Sequence, residues 1–303
     1  MNASSSLKAT LFQKRSAGEA INLSFALVRT HFKHIIKALA SIVLPVALLY
    51  IAVQYYYTHN LWSDVNSGAY NPGNGFIDVT NFTGMALLVN ILNGLVSILS
   101  ILTILSYYKI AQETDENPST ASVWIEVRKN LGYAILLSIL YGLALFIGTV
   151  LFIIPGIYFA VRFSLVFPTL VMERKDMDSF SRSSELIKDA WWRSFGFMIL
   201  LGIIGYLIIL AFSIPLMIFG GASAFLALDD PQAVTESLQS DGFIIASAVI
   251  NILAIVFFGI IFYTGIFAWY CNMVEEKDAV GVKIALQEAS STESTNLNQE
   301  GEY

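Results

Sequence analysis

Residues 155–197 read PGIYFAVRFSLVFPTLVMERKDMDSFSRSSELIKDAWWRSFGF, and this stretch decides how the rest of the chain is interpreted. It begins with an apolar segment that contains one arginine, Arg162. A charged corner, MERKDMD, follows, and after it comes a helix-forming segment that ends in two tryptophans. Because the next residues are apolar again, the stretch predicts two membrane-spanning helices joined by an amphipathic helix at the membrane surface.

The composition of the whole chain indicates a membrane protein. Of the 303 residues, 56% are hydrophobic and 13% are charged, and the mean hydropathy is +0.65. These values lie outside the range of soluble globular proteins. The single cysteine, Cys271, excludes an internal disulfide and a cysteine-based zinc site.

Apolar runs predict six membrane-spanning helices, and the predicted fold class is an all-α, polytopic membrane helix bundle. Pro45 lies inside the first span and predicts a kink there, because proline removes a backbone hydrogen bond. Pro155 and Gly156 predict a very tight turn between the third and fourth spans. The six predicted spans are residues 38–57, 83–107, 133–154, 157–172, 195–219 and 243–270.

The N-terminal region predicts a helix that lies in the membrane interface. Ser16 and Glu19 can form a capping box, which starts a helix at about residue 17. An apolar stripe with a basic flank is typical of an interfacial helix. The stripe consists of Ile21, Phe25, Val28 and Phe32. Residues 1–15 and the acidic residues 291–303 are predicted to be disordered tails.

The distribution of basic residues predicts the orientation in the membrane. Of 17 Lys and Arg residues, 16 lie in the N-terminal segment, in residues 109–130, in residues 173–193 or in the C-terminal segment. The loops 58–82 and 220–242 contain none. The positive-inside rule therefore places both termini in the bacterial cytoplasm, with the protein in the inner membrane.

The same stripe recurs in register, which predicts a three-fold internal repeat. Offsets of 99 and 60 residues carry the N-terminal stripe onto two later stripes and preserve its spacing. These later stripes are Thr120, Trp124, Val127 and Leu131, and Phe180, Ser184, Ile187 and Trp191. A basic residue follows the third position in every copy, namely Arg29, Arg128 and Lys188.

Each predicted unit consists of an interfacial helix, a span out, a turn and a span back. The units cover residues of about 16–108, 118–172 and 178–270, within a membrane domain of residues 16–290. The alternative interpretation is coincidence, because any helix that meets a bilayer carries an apolar stripe and flanking basic residues.

The segments PGIYFAVRFSLVFPTLVME and SRSSELIKDAWWRSF resemble the membrane domain of bacterial glycerophosphoryl diester phosphodiesterases and related stand-alone inner-membrane proteins of unknown function. The matching residues are Pro155, Gly156, Arg162, Pro168, Glu173, Ser183, Leu186 and Trp192. The six-span layout agrees over residues of about 15–290, whereas the specific motif covers only 155–195. The fused phosphodiesterases also carry a soluble barrel with a metal site, which these 303 residues lack. The resemblance therefore implies a membrane part without an assigned reaction.

Arg162 is the main candidate for a site, because a charged residue inside a span marks a functional position by default. Its insertion costs roughly 2.5–3.5 kcal/mol, which the apolar residues of the span can offset. The expected hydrogen-bonding partners are Asn90, Asn93, Asn251, helix-end carbonyls or a lipid phosphate. A structural role is preferred. A contact with a lipid headgroup or anionic ligand, and a role in translocation, are the alternatives.

Other polar residues support no catalytic, cofactor or metal site. His31 and His34 have a helical spacing that suits metal binding, but a third ligand is missing. Ser183 and Ser184 have no arrangement of His and Asp around them, so the sequence does not support a serine nucleophile. Glu113, Glu173 and Glu275 recur at one phase and are expected to cap helices or to pair with Lys and Arg. The predicted interfacial anchors are Trp124, Trp191, Trp192, Arg29, Arg128 and Lys188.

These observations predict a non-enzymatic inner-membrane protein that acts as an assembly, scaffold or regulatory partner in the cell envelope. Its expected partners are the lipid bilayer and another envelope protein, with no nucleic acid. The alternative is a transporter or a lipid- or anion-binding membrane protein that uses Arg162. The sequence leaves the oligomeric state open.

Overall fold

A computed structural model describes residues 10–66, 79–114, 117–226 and 236–287. These residues are almost entirely helical, and none of them forms a strand, which confirms the predicted all-α fold class. The helices are α1 (Ala17–Ile42), α2 (Leu44–Asn66), α3 (Val79–Glu113), α4 (Thr120–Leu151), α5 (Ile153–Arg162), α6 (Val166–Glu173), α7 (Ser179–Ile187), α8 (Trp191–Leu226) and α9 (Asp241–Asp278). Residues 280–287 are also helical.

The number of long apolar helices agrees with a multi-pass membrane protein. Among the described residues, five helical segments are long and apolar enough to cross a membrane. Helices α1 and α2 form a sixth candidate, bent by 56°. The break lies at Val43, two residues before Pro45, as the proline predicts. The protein is therefore an integral membrane protein.

The predicted start of α1 is confirmed, but part of the predicted N-terminal tail is ordered. The Ser16 N–H donates to Glu19 Oε2 at 2.7 Å and the Glu19 N–H donates to the Ser16 hydroxyl at 3.3 Å, which is a capping box. Just before it, Leu11 is buried and the Arg15 N–H donates to Asn272 Oδ1 at 2.7 Å. Residues 10–15 are therefore held by tertiary contacts that the local sequence does not reveal.

The predicted interfacial helices are not all separate elements. Helix α4 runs from Thr120 through the expected boundary at residue 133, and α1 likewise continues past residue 38. No proline or paired glycines interrupt these segments, so the helical hydrogen bonds continue. The predicted stripes are partly exposed, since Phe25 and Trp124 are each 39% accessible.

Two predicted loops are shorter than expected, because the neighbouring helices extend into them. Helix α2 continues to Asn66 and α3 begins at Val79, while α8 continues to Leu226 and α9 begins at Asp241. The remainder of both loops and the predicted C-terminal tail, residues 291–303, lie outside the described residues.

The chain divides into two compact units of different chemistry. The first unit comprises residues 1–38, 101–202 and 261–303 and contains all 17 Lys and Arg residues. Its core includes Trp269, which stacks on Phe197 at 4.4 Å and donates its indole N–H to the Ser194 hydroxyl. The second unit comprises residues 39–100 and 203–260 and has no basic residue. The candidate site lies in the first unit.

Candidate functional site

The candidate site begins at a helical hairpin that is tighter than predicted. Helix α4 ends at Leu151 and α5 starts at Ile153, so the extended residue Phe152 alone forms the turn. Pro155 and Gly156 were predicted to form the turn but instead lie in the first turn of α5. The backbone N–H groups of a first helical turn have no acceptor within the helix, so proline, which has no N–H, is tolerated there. A Cβ atom at Gly156 would lie 2.5 Å from Thr149 Oγ1, so only glycine allows α4 and α5 to approach this closely.

The fourth predicted span is not one helix but two. Helix α5 ends at Arg162 and α6 begins at Val166, so residues 163–165 interrupt the span. The interruption leaves few backbone groups without partners. The N–H groups of Phe163, Ser164 and Val166 donate to carbonyls of the same segment at 3.0–3.2 Å.

Ser183 on α7 takes the backbone groups that the interruption frees. Its hydroxyl donates to the Arg162 carbonyl at 2.9 Å and accepts from the Leu165 N–H at 3.2 Å. Ser183 is fully buried, so its hydroxyl rather than bulk water satisfies these two backbone groups. We call Arg162, residues 163–165, Ser183 and Ser184 the Arg162 joint.

The Arg162 side chain also bonds within the joint. Its Nε donates to the Ser184 hydroxyl at 2.5 Å, and its Nη1 donates to the Tyr158 hydroxyl. No carboxylate among the described residues lies within 4.0 Å of the guanidinium. The guanidinium carbon also lies 5.5 Å from the centre of the Tyr158 ring, a cation–π contact. The joint therefore contains a cation that is held by hydroxyl groups and an aromatic ring, without a carboxylate among the described residues.

The asparagines expected beside Arg162 form other hydrogen bonds. The Asn90 side chain donates to the Ala86 carbonyl. At Asn93 it is the backbone carbonyl that accepts a hydrogen bond, from the Ser97 hydroxyl. The Asn251 side chain accepts from the Tyr50 hydroxyl at 3.3 Å. The sequence interpretation missed Ser183, Ser184 and Tyr158 as partners of the joint. Pro168 was the available signal, because it sits in the first turn of α6 and marks a helix start.

An open groove of about 580 Å³ adjoins the joint. Its lining residues are Ile154, Ile157, Tyr158, Lys188, Asp189, Ala190, Trp191, Trp192 and Arg193. Trp191 stacks on Tyr158, with ring centroids 5.9 Å apart, and so fixes the start of α8 against α5. The predicted anchors Lys188, Trp191 and Trp192 thus share one groove. The hairpin that was predicted to turn on the opposite side of the membrane lies beside this basic segment.

Ion pairs connect the charged corners of the first unit. Lys109 and Glu126, both only 7% exposed, form a buried pair at 2.6 Å, and Lys109 also donates to the Val171 carbonyl. Arg182 pairs with Glu173 at 2.9 Å and also contacts Asp278. These pairs bind separate helices together, and the sequence interpretation had not identified Glu126.

The three glutamates that recur at one phase of the sequence differ in their contacts. Glu173 pairs with Arg182, as expected, and also accepts a hydrogen bond from the Tyr270 hydroxyl at 2.9 Å. Glu275 accepts from the Gly281 N–H and thereby caps the chain after α9. Glu113 is exposed at the end of α3. Two of the three therefore have the capping or pairing role that the sequence suggested.

The arrangement lacks the groups that catalysis at a metal would use. Within the described ranges, no group of three or more His, Cys, Asp or Glu residues could hold a metal ion. His31 Nδ1 lies 3.0 Å from the Tyr107 hydroxyl, whereas His34 is exposed. The arrangement instead orients helices and presents a groove with aromatic and cationic residues.

Comparison with known proteins finds no match. No family model, curated protein or solved structure matches the chain.

Proposed function

We propose that the protein is a non-enzymatic integral protein of the bacterial inner membrane that acts as an assembly, scaffold or regulatory partner in the cell envelope. The observation that carries the proposal is the use of the polar groups in the first unit. Lys109, Glu126, Glu173 and Arg182 bind helices to each other. The Arg162 side chain likewise connects α5 to α7 through Ser184. Because these polar groups are engaged in contacts between helices, they favour a role as a rigid binding surface over a role in catalysis.

Burial supports the proposed three-fold repeat. The same offsets of 99 and 60 residues align positions that are at most 2% exposed in all three copies. These sets are Ser24, Val123 and Ser183; Ile35, Ala134 and Ser194; and Ala38, Leu137 and Phe197. The first of these sets lies one position before a position of the predicted apolar stripe. Shared burial at these offsets is what a repeat predicts.

The repeated helices present equivalent basic residues to partners. Arg29, Arg128 and Lys188 are exposed, and none of them has an ion pair among the described residues. Exposed cations without an ion pair in the described residues suit contact with an acidic segment of another envelope protein. The partner contact is therefore proposed on this face.

The resemblance to phosphodiesterase membrane domains is a further part of the proposal. Its motif residues mostly hold the hairpin and α7 together. Gly156 permits the close approach of α4, Ser183 satisfies the joint, Glu173 pairs with Arg182, and Leu186 is 1% exposed. The motif residues therefore have structural roles. This agrees with the resemblance, which implies a membrane domain without an assigned reaction.

The proposed orientation places both termini in the cytoplasm, because the basic segments lie on one side under the positive-inside rule. A cysteine introduced at Ser4 is expected to react with a membrane-impermeant maleimide only after the membrane is opened. The native Cys271 is fully buried and so gives no background. Labelling of Ser4→Cys in intact cells from the periplasmic side would exclude this orientation.

Site-specific photo-crosslinking tests the partner proposal. A photo-reactive residue at Arg128, on the exposed basic face, is expected to give one discrete protein adduct in native membranes. The matched control is Phe146, which lies on the same helix, is 66% exposed and has apolar neighbours in the sequence. A photo-reactive residue at Phe146 is expected to give lipid adducts only. Identical lipid-only patterns at both positions would contradict the proposal of a protein partner.

One observation favours the alternative of a transporter or anion-binding protein that uses Arg162. Interrupted helices form the binding sites of many transporters, and α5 and α6 are interrupted beside an arginine without a carboxylate partner. In those transporters the freed backbone groups face the substrate, whereas here Ser183 occupies them. The structural role of Arg162 is therefore the better supported one, and the Arg162 variants described below distinguish the two.

A further inference from the structure

The groove beside the Arg162 joint combines an apolar wall with a cationic rim. Ile154 and Trp192 line it and are 79% and 78% exposed, so in a membrane protein both side chains face lipid. Lys188 lines the same groove and must remain at the level of water and headgroups. The groove therefore extends across the boundary between acyl chains and headgroups.

Lys188 is the cation of the groove that forms no ion pair within 4.0 Å in the described part of the chain, although the adjacent Asp189 carboxylate attracts it at longer range. Asp189 is paired with Lys277 at 2.5 Å, and Arg193 is paired with Glu276 at 2.6 Å. No carboxylate in the described part of the chain lies within 4.0 Å of the Lys188 ammonium group. An anion in the groove would therefore pair with Lys188 without breaking an existing ion pair.

Trp191 supplies a second donor. Its indole N–H is buried and has no hydrogen-bond acceptor among the described residues. The indole ring is fixed, because it stacks on Tyr158 on one side and on Phe195 at 5.2 Å on the other. Buried donors normally have an acceptor, and an oxygen atom bound in the adjoining groove would supply one to the Trp191 indole.

We infer that this groove binds an anionic phospholipid, with its phosphate between Lys188 and the Trp191 indole. The acyl chains lie along Ile154, Ile157 and Trp192. A volume of about 580 Å³ is in the range of specific small-ligand sites. A zwitterionic lipid carries its own cation beside the phosphate, so it gains less from Lys188. The inference uses residues other than Arg162. Lys188 also belongs to the face proposed for a protein partner, but the test below uses the purified protein without that partner, so the two proposals are tested separately.

Native mass spectrometry of the full-length protein in a neutral detergent tests this inference. Phosphatidylglycerol and phosphatidylcholine are titrated separately, and the apparent Kd of the first bound lipid is measured. Phosphatidylglycerol is expected to bind more tightly. Lys188→Gln is expected to weaken its binding about fivefold, the change that corresponds to one lysine near a charged membrane surface. Trp192→Ala is expected to weaken the binding of both lipids.

Arg128→Gln is the matched control, because Arg128 occupies the equivalent position in the preceding repeat and does not line the groove. It is expected to bind phosphatidylglycerol like the unmodified protein. Equal binding of the two lipids by the unmodified protein, or equal behaviour of Lys188→Gln and Arg128→Gln, would overturn the inference. Millimolar inorganic phosphate is expected not to displace the lipid. Complete displacement would mean that the groove takes a free anion instead.

Discussion

Two prolines in apolar segments of this protein have opposite effects on their helices. Pro168 follows directly on the interruption between α5 and α6, whereas Pro215 lies inside α8, which continues from Trp191 to Leu226. Both prolines lack the N–H that a continuous helix uses. The difference lies in the neighbours, because Ser183 stands beside residues 162–165 and takes the freed backbone groups. A proline therefore permits an interruption, and a tertiary contact makes it stable.

Among the variants considered, removal of the Ser183 hydroxyl is expected to destabilise the interrupted α5–α6 segment most. Ser183→Ala leaves the Leu165 N–H and the Arg162 carbonyl without their partner. Each buried polar group left unpaired costs about 1–3 kcal/mol, so the free energy of unfolding should fall by roughly 2–5 kcal/mol. The measurement is unfolding of the purified protein in mixed micelles by titration with sodium dodecyl sulfate.

Ser138→Ala is the control for this variant. The Ser138 hydroxyl donates only to the Ala134 carbonyl of its own helix, so its loss should change the free energy of unfolding by less than about 1 kcal/mol. Equal stability of the two serine variants would show that Ser183 does not hold the interruption.

Arg162→Leu is expected to have the next largest effect. The variant loses the hydrogen bonds to Ser184 and Tyr158, and hydrogen bonds to charged groups contribute about 1.5–3 kcal/mol. Part of this loss is offset, because leucine enters the membrane more favourably than arginine. The net loss should be about 1–3 kcal/mol, with a lower melting temperature and lower abundance in membranes.

Tyr158→Phe removes only one of these hydrogen bonds and should lower stability by about 1 kcal/mol. If Arg162→Leu kept normal stability and abundance but abolished a cellular phenotype, the structural role of Arg162 would be wrong. The transporter or anion-binding alternative would then be preferred.

Pro168→Ala is expected to have the smallest effect and to leave the interruption in place. The buried proline loses about two methylene groups, which lowers the free energy of unfolding by about 1 kcal/mol after local repacking. Hydrogen exchange of the backbone amides of residues 163–168 measures whether the interruption persists. Pro215→Ala is the control, because its helix is already continuous. A gain of stability together with new protection across residues 163–168 would show that Pro168 alone breaks the helix.

Much of the fold was predictable because it depends on local chemistry. Runs of apolar residues predicted the long helices, the Ser16–Glu19 capping box predicted the start of α1, and Pro45 predicted the bend after it. Each of these signals acts within a few residues along the chain. The candidate site was less predictable. Arg162 was identified from its charge, but its partners Ser183 and Ser184 lie more than 20 residues away, where periodicity gives no information.

The sequence by itself determined that this is an all-α membrane protein, because apolar length and the satisfaction of backbone hydrogen bonds in lipid leave few other choices. It also determined that 16 of the 17 Lys and Arg residues cluster in four segments of the chain, and the structure places all of them in the first of the two units. Only the tertiary structure decided that the fourth apolar segment is broken and that Ser183 completes the break. It also decided that Lys109 and Glu126 are buried together and that the α4–α5 hairpin meets Lys188 in one groove. These contacts join residues that are distant in the chain, and their energies depend on packing and desolvation rather than on local composition.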